Sequence, residues 1–162
     1  MTGWRVGFLT GPADYMRAIV EVKHTLSICT PAVSQAAALA ALEGPQDCIE
    51  DMRDIYDRRR HHRLGALADM GLEFIYPAGA FYVYVDISSA GLTSPEFCLQ
   101  LLADTGIMIA PGTLFGSQEG ERYMRMSMLV PYERMGVALE KMEAAIKHYK
   151  SEAATNAVEA GA

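Results

Sequence analysis

LEFIYPAGAFYVYVDI, residues 72–87, contains two strand-like runs, LEFIY (72–76) and FYVYVDI (81–87), parted by the proline and glycine of PAG (77–79). Upstream, Pro45 opens a long helix that carries Glu50 and Asp51 early and its cationic run late, with Gly71 just past its end. That order places acid near the helix N-terminus, base near the C-terminus, and proline and glycine at the ends that tolerate them. Downstream, SPE (94–96) opens a short helix to about Asp104, IMIA (107–110) reads as a strand ended by Pro111 and Gly112, and RYMRMSM (122–128) reads as another. A last helix begins near Pro131, with Met135, Leu139, Met142, Ile146 and Tyr149 at 4-3-4-3 spacing along one face. From residue 45 the order is helix, two strands, helix, two strands, helix. This is an α+β pattern, and it predicts a two-layer arrangement in which helices cover a small antiparallel-rich sheet.

The ends fit that layout less well. WRVGFL (4–9) reads as a strand closed by TGP (10–12). A helix follows from Ala13 to about Ile28, with Met16, Ile19, Val20 and Leu26 on or near one face, and a second runs over 32–43 to Gly44. These elements look like a piece of something else. Beyond Lys150, SEAATNAVEAGA is small and polar and predicts a disordered tail at 151–162.

Bulk properties narrow the class. The 162 residues suffice for one substantial core, and 51% hydrophobic with 21% charged residues reads as a soluble globular chain. A net charge of −6 argues against a broad nucleic-acid footprint, which needs a basic surface. No apolar run approaches the ~20 residues of a membrane span, and no signal peptide is evident, so the expected location is the cytoplasm. Cys29, Cys48 and Cys98 form no CxxC pair and read as small buried hydrophobes in a reducing compartment. The histidines lack metal-ligand spacing, so no metal site is expected, and no Gly-rich phosphate loop or GxSxG elbow occurs.

Two arginines raise sharper questions. Alternation along RYMRMSM puts Met124, Met126 and Met128 on one face, and Tyr123, Arg125 and Ser127 on the other. Arg125 therefore points from mid-strand to a hydroxyl-lined face. A planar guanidinium matches a carboxylate bidentately, so Arg125 is a candidate anion receptor; it could equally pair with an internal acid or stand in solvent. Arg5 poses the same choice, with Gly7 leaving room beside it for a bulky group such as a phosphate. RRRHHR (58–63) reads chiefly as a salt-bridged helix. There Arg58 can pair with Asp54, while Arg59 and Arg63 continue the stripe of Ile49, Met52 and Tyr56 and either snorkel or meet acids.

In this order MTGWRVGFLTGP, SQAAALAAL, PAGAFYVYVDI, IMIAPGTLFG and YMRMSM resemble the class I aminotransferases over residues 1 to about 150. These are pyridoxal-phosphate (PLP) enzymes of fold type I, and the likeness is strongest to the bacterial aspartate-type branch. The resemblance implies that residues 1–44 are a remnant of the large PLP-binding domain, a strand plus interdomain helices, and that 45–150 are the small C-terminal domain. It implies that Arg5 binds the PLP phosphate and Arg125 the substrate α-carboxylate. The lysine that holds PLP as a Schiff base precedes M-T-G-W-R in the family, so by the resemblance it lies upstream of Met1, and no catalytic residue is assigned here. Lys23, Lys141, Lys147 and Lys150 all fall in helical segments and show no setting that would depress an amine pKa.

The implied reaction moves an amino group from an α-amino acid to a 2-oxo acid, with this chain alone inactive. Two alternatives are a non-catalytic carboxylate-binding or assembly module and one half of a split enzyme. The motif does not select the amino donor. An apolar strand at 4–9 and helices at 13–43 without a core of their own favour self-association, as a homodimer or larger.

Overall fold

The computed structural model describes residues 2–116 and 118–160, with the backbone alone for Gln118 and residues 157–160. The chain divides into two compact units, Met1–Asp51 and Met52–Ala162.

In the first unit, a short 3-10 helix at Thr2–Trp4 precedes α1 (Ala13–Leu26) and α2 (Ala32–Glu43). Prolines 12 and 31 stand immediately before the two helices, where a missing N–H leaves no helical bond unmade. The strand expected at 4–9 does not form. A strand needs a partner to take up its N–H and C=O groups, and none of the described residues pairs with this segment. Ser34 is the only buried residue described up to Asp51, and it donates its hydroxyl to the Trp4 carbonyl at 2.9 Å. The stripe expected to bury α1 stays open, with Ile19 and Val20 nearly half-exposed and Leu26 largely exposed.

α3 (Asp47–Asp69) begins in the first unit and continues into the second. Next come β1 (Phe74–Ile75), β2 (Tyr82–Asp86), α4 (Ser94–Thr105), β3 (Ala110–Pro111), β4 (Tyr123–Ser127) and α5 (Tyr132–Ala160). All neighbouring strands run antiparallel in the order β1-β2-β4-β3, so the expected antiparallel sheet is present with shorter edges than the sequence runs predict. At the start of α4, the Thr93 N–H and hydroxyl donate to the Glu96 carboxylate at 2.9 and 2.6 Å, a cap that satisfies an otherwise free amide.

Alternation builds the core. Val83 and Val85 of β2 and Met124 and Met126 of β4 point to one face and are buried there with Phe97 and Leu101 of α4 and Leu64 and Leu67 of α3. Met135, Leu139, Met142, Ile146 and Tyr149 of α5 are all buried with them, as their spacing predicts. Each large apolar side chain moved from water into this core contributes about 1.5–3 kcal/mol. The Tyr149 hydroxyl donates to Asp104 at 2.6 Å, and burial, reinforced by that carboxylate, pushes its pKa well above the usual phenol value.

Three further expectations are corrected. α5 does not stop at Lys150 but continues through Ala160, so the predicted tail is helical that far; residues 161–162 lie outside the described residues. Alanine-rich composition favours a helix there, and Ala153 packs against the turn at Gly91. Gly91 has φ +70°, and a Cβ on it would lie 2.7 Å from the Ala153 Cβ, so bulk and conformation both require glycine. Residues 107–109 are not strand, which leaves β3 two residues long. Of the cysteines, only Cys98 is buried; Cys29 and Cys48 are exposed.

Candidate functional site

The uncovered face of the sheet carries the candidate site. Arg125 sits mid-strand in β4, opposite Tyr84 of β2 and Ala110 of β3. Because Met124 and Met126 take the core side, Arg125 emerges among Tyr82, Tyr84, Tyr123 and Ser127, all half-buried. Its guanidinium carbon lies 4.0 Å from the Tyr82 ring centroid and 3.6 Å from that of Phe115, so two aromatic rings hold it. The Phe115 ring is turned edge-on to Tyr84, with centroids 6.4 Å apart, which fixes the ring wall. Among the described residues no carboxylate pairs with Arg125, and its Nε is buried without a hydrogen-bond partner. Rings that cover the faces of a guanidinium leave its donors pointing outward in its plane, the direction from which a carboxylate is bound.

Arg122 shows the contrast. It forms an ion pair of the kind the sequence left open for Arg125: its Nε donates to Asp86 at 2.9 Å and its Nη2 reaches the same oxygen. Asp86 also accepts from the Ser88 N–H and hydroxyl at 2.9 and 2.6 Å. Burial works to raise the Asp86 carboxyl, but the Ser88 bonds and Arg122 more than offset it and hold it below the usual carboxylate range.

Arg125 also lines a cavity of about 740 Å³, within the range of small-molecule sites. Its other walls include Tyr82, Ser127 and Val130, the apolar Ile107 to Ile109 segment, and Arg134 and Met135 on the first turn of α5. Gly112 shapes the turn beside Phe115. A Cβ there would lie 2.5 Å from the carbonyl oxygens of Gly120 and Tyr123, so only glycine permits this backbone approach. The Ser94 hydroxyl, fully buried, ties the corner together by accepting from the Gly112 N–H at 2.9 Å and donating to the Tyr123 carbonyl at 2.6 Å.

Arg5 belongs to the other unit and is exposed, with φ 50°, uncommon for a side chain-bearing residue. The position of a Cβ on Gly7 meets no atom within 4 Å, so space for a bulky group is present beside it. Arg5 and Arg125 thus belong to different units.

Within the basic run Arg60 meets Asp57 at helical spacing, as read, whereas Arg59 and Arg63 take backbone partners. Arg63 is buried, at 1% exposure, and donates to the carbonyls of Met128 and Val130; Arg59 donates to the Leu129 carbonyl at 2.8 Å. Neither meets an acid among the described residues. Burial, aided by the nearby Arg59 charge, pulls the Arg63 guanidinium down to about 10. Arg60 donates to the Pro77 carbonyl at 3.0 Å and to Asp57 at 2.6 Å. Spacing alone did not single out Phe115; it placed Arg63 on the apolar stripe but not against backbone carbonyls.

Comparison with known proteins agrees with this fold. Residues 1–142 match the sequence model of aminotransferase class I and II, and the chain belongs to that family. It is 38% identical over 143 residues to a probable N-acetyl-LL-diaminopimelate aminotransferase of Bacillus subtilis, covering 88% of this chain and 36% of the relative. It is 37% identical over 152 residues to aromatic-amino-acid aminotransferase 2 of Thermococcus litoralis, covering 93% and 39% of the two chains. Among solved structures, an aromatic aminotransferase from Pyrococcus horikoshii superposes with a TM-score of 0.85 at 37% identity, over 93% of this chain and 40% of that one. The chain therefore spans about two fifths of the length of the relatives it matches.

Family membership implies PLP as the cofactor. The described residues fit it in part. Arg5, exposed with open space beside Gly7, suits a phosphate monoester. No lysine suits the cofactor's aldehyde: Lys23 donates to the Ile28 carbonyl at 3.1 Å, Lys147 pairs with Glu143 at 2.6 Å, and Lys141 and Lys150 lie along α5 outside the cavity.

Proposed function

We propose that the protein of which this chain forms a part is a PLP-dependent aminotransferase that moves an amino group from an α-amino acid to a 2-oxo acid. In this reading, residues 45–150 are its small C-terminal domain and 1–44 a portion of its large domain. The observation that carries the proposal is Arg125: a guanidinium without an acidic partner among the described residues, stacked between Tyr82 and Phe115 and facing a cavity of about 740 Å³. Amino donor and oxo acceptor share an α-carboxylate, so one receptor serves both halves of the exchange. Arg125 binds that carboxylate and sets the orientation of Cα, while the apolar walls from Ile107 to Ile109 restrict water around it.

Arg5 would hold the phosphate of the cofactor. When bound, PLP supplies the electron sink that lets the Cα proton leave. The amine that carries the cofactor and moves that proton comes from residues other than these 162, so the chain alone is inactive. A cytoplasmic homodimer is the proposed state of the whole protein, supported by the exposed apolar side chains of the first unit, such as Phe8 and Ile28.

The test is calorimetric titration of the chain with phenylpyruvate, a 2-oxo acid with an apolar side chain. The expected result is binding in the wild type that falls by at least about tenfold, or about 1.4 kcal/mol, in Arg125→Gln. Equal binding by the two proteins would exclude Arg125 as the carboxylate receptor.

A further inference from the structure

Three successive carbonyls, those of Met128, Leu129 and Val130, accept hydrogen bonds from two guanidiniums one helical turn apart on α3. Arg63 takes the outer two and Arg59 the middle one. These carbonyls belong to the corner where the chain leaves β4 and, at Pro131, turns into α5. The amide side of the same corner is also held: the Met128 N–H donates to the Phe81 carbonyl at 2.8 Å, and the Leu129 N–H to the Ser127 hydroxyl at 3.2 Å.

A buried guanidinium without an acid is a poor device for stability alone, since apolar packing of the same volume would avoid its desolvation. What five donors in a rigid fork supply is fixed geometry. The clamped corner adjoins the site on two sides. Met128 lies three residues after Arg125 on the same strand run, and Phe81, bonded to Met128, precedes Tyr82, whose ring lies on the Arg125 guanidinium. Val130 and Ser127 are themselves walls of the cavity.

We propose that Arg63, assisted by Arg59, is a positioning residue. By locking the β4–α5 corner it holds Arg125 between its two rings, with its donors turned toward the cavity. The consequence for substrate binding rests on the reading of Arg125 as carboxylate receptor; the positioning of Arg125 does not. Lysine at 63 keeps the charge but is a single point donor that cannot span two carbonyls at once.

The experiment compares wild type, Arg63→Lys, Arg59→Lys and Arg125→Lys by nuclear magnetic resonance of the nitrogen-labelled chain, together with phenylpyruvate titration. Arg125→Lys identifies the Arg125 Nε–H signal by its loss. Wedged between two rings, that proton resonates away from the exposed arginines. In folded Arg63→Lys it is expected to move toward them, with phenylpyruvate bound about tenfold more weakly; Arg59→Lys shifts both readouts the same way by less. A folded Arg63→Lys with the Arg125 signal unmoved would overturn the proposal and leave Arg63 a purely structural residue. If Arg63→Lys does not fold, Arg59→Lys decides by the same signal. If the signal moves while Arg125→Lys binds phenylpyruvate as well as wild type, the clamp stands and the carboxylate-receptor reading falls.

Discussion

Arg122, just ahead of β4, and Arg125, three residues on in mid-strand, keep different company, the Asp86 carboxylate for one and the rings of Tyr82 and Phe115 for the other. Removing them should therefore separate stability from binding. Arg122→Gln leaves Asp86 charged, largely buried and short of its cationic partner, and is expected to lower the denaturation midpoint without changing phenylpyruvate affinity. Arg125→Gln loses only its ring contacts in the folded chain, about 1 kcal/mol, and its effect falls on binding.

Acid titration reads the same pair. The Asp86 carboxyl is held below its unfolded value, so its contribution to stability is complete above that value, about 3.9, and is lost as pH falls through the lower folded value. Urea denaturation of Asp86→Asn should accordingly show a deficit against wild type at neutral pH that closes in this acid range. Alternation in RYMRMSM was enough to put the methionines inside and Arg125 outside. Which arginine would meet Asp86 was not legible, because strand spacing carries no information about a partner 36 residues away.

Among elements, periodicity served best where the chain supplied both sides of a contact. The 4-3-4-3 face of α5 and the methionine face of β4 are buried as read, because they pack on one another. WRVGFL has the composition of a strand but no pairing partner among the described residues, and propensity does not replace the missing hydrogen bonds. The α5 extension was missed for the opposite reason: small, polar residues suggested disorder, whereas alanine propensity and the contact of Ala153 at Gly91 sustain the helix. The tight turn at Gly112 gives a direct test. Gly112→Ala drives a methyl into two backbone carbonyls and is expected to cost about 1–3 kcal/mol in thermal denaturation, with weaker phenylpyruvate binding because Phe115 follows on the same turn.

For the whole molecule, the contrast lies between a second unit with a continuous core and a first in which Ser34 alone is buried among the described residues. Limited trypsin digestion is expected to cut first within residues 2–51 and to leave a resistant product containing 52–160; initial cleavage within α4 or α5 would contradict that ordering. With PLP, borohydride reduction and peptide mapping should give no stoichiometric adduct on any of Lys23, Lys141, Lys147 or Lys150. A single quantitative adduct would place the cofactor amine within this chain and remove the need for one from elsewhere. The cysteines, finally, divide along the same line: Cys29 and Cys48 lie exposed in the first unit, and Cys98 is buried in the second, where burial pushes its thiol up. Each molecule thus carries two addressable thiols for a fluorophore or spin label on one unit and a silent one in the other, whose appearance in a maleimide assay marks the moment the sheet opens.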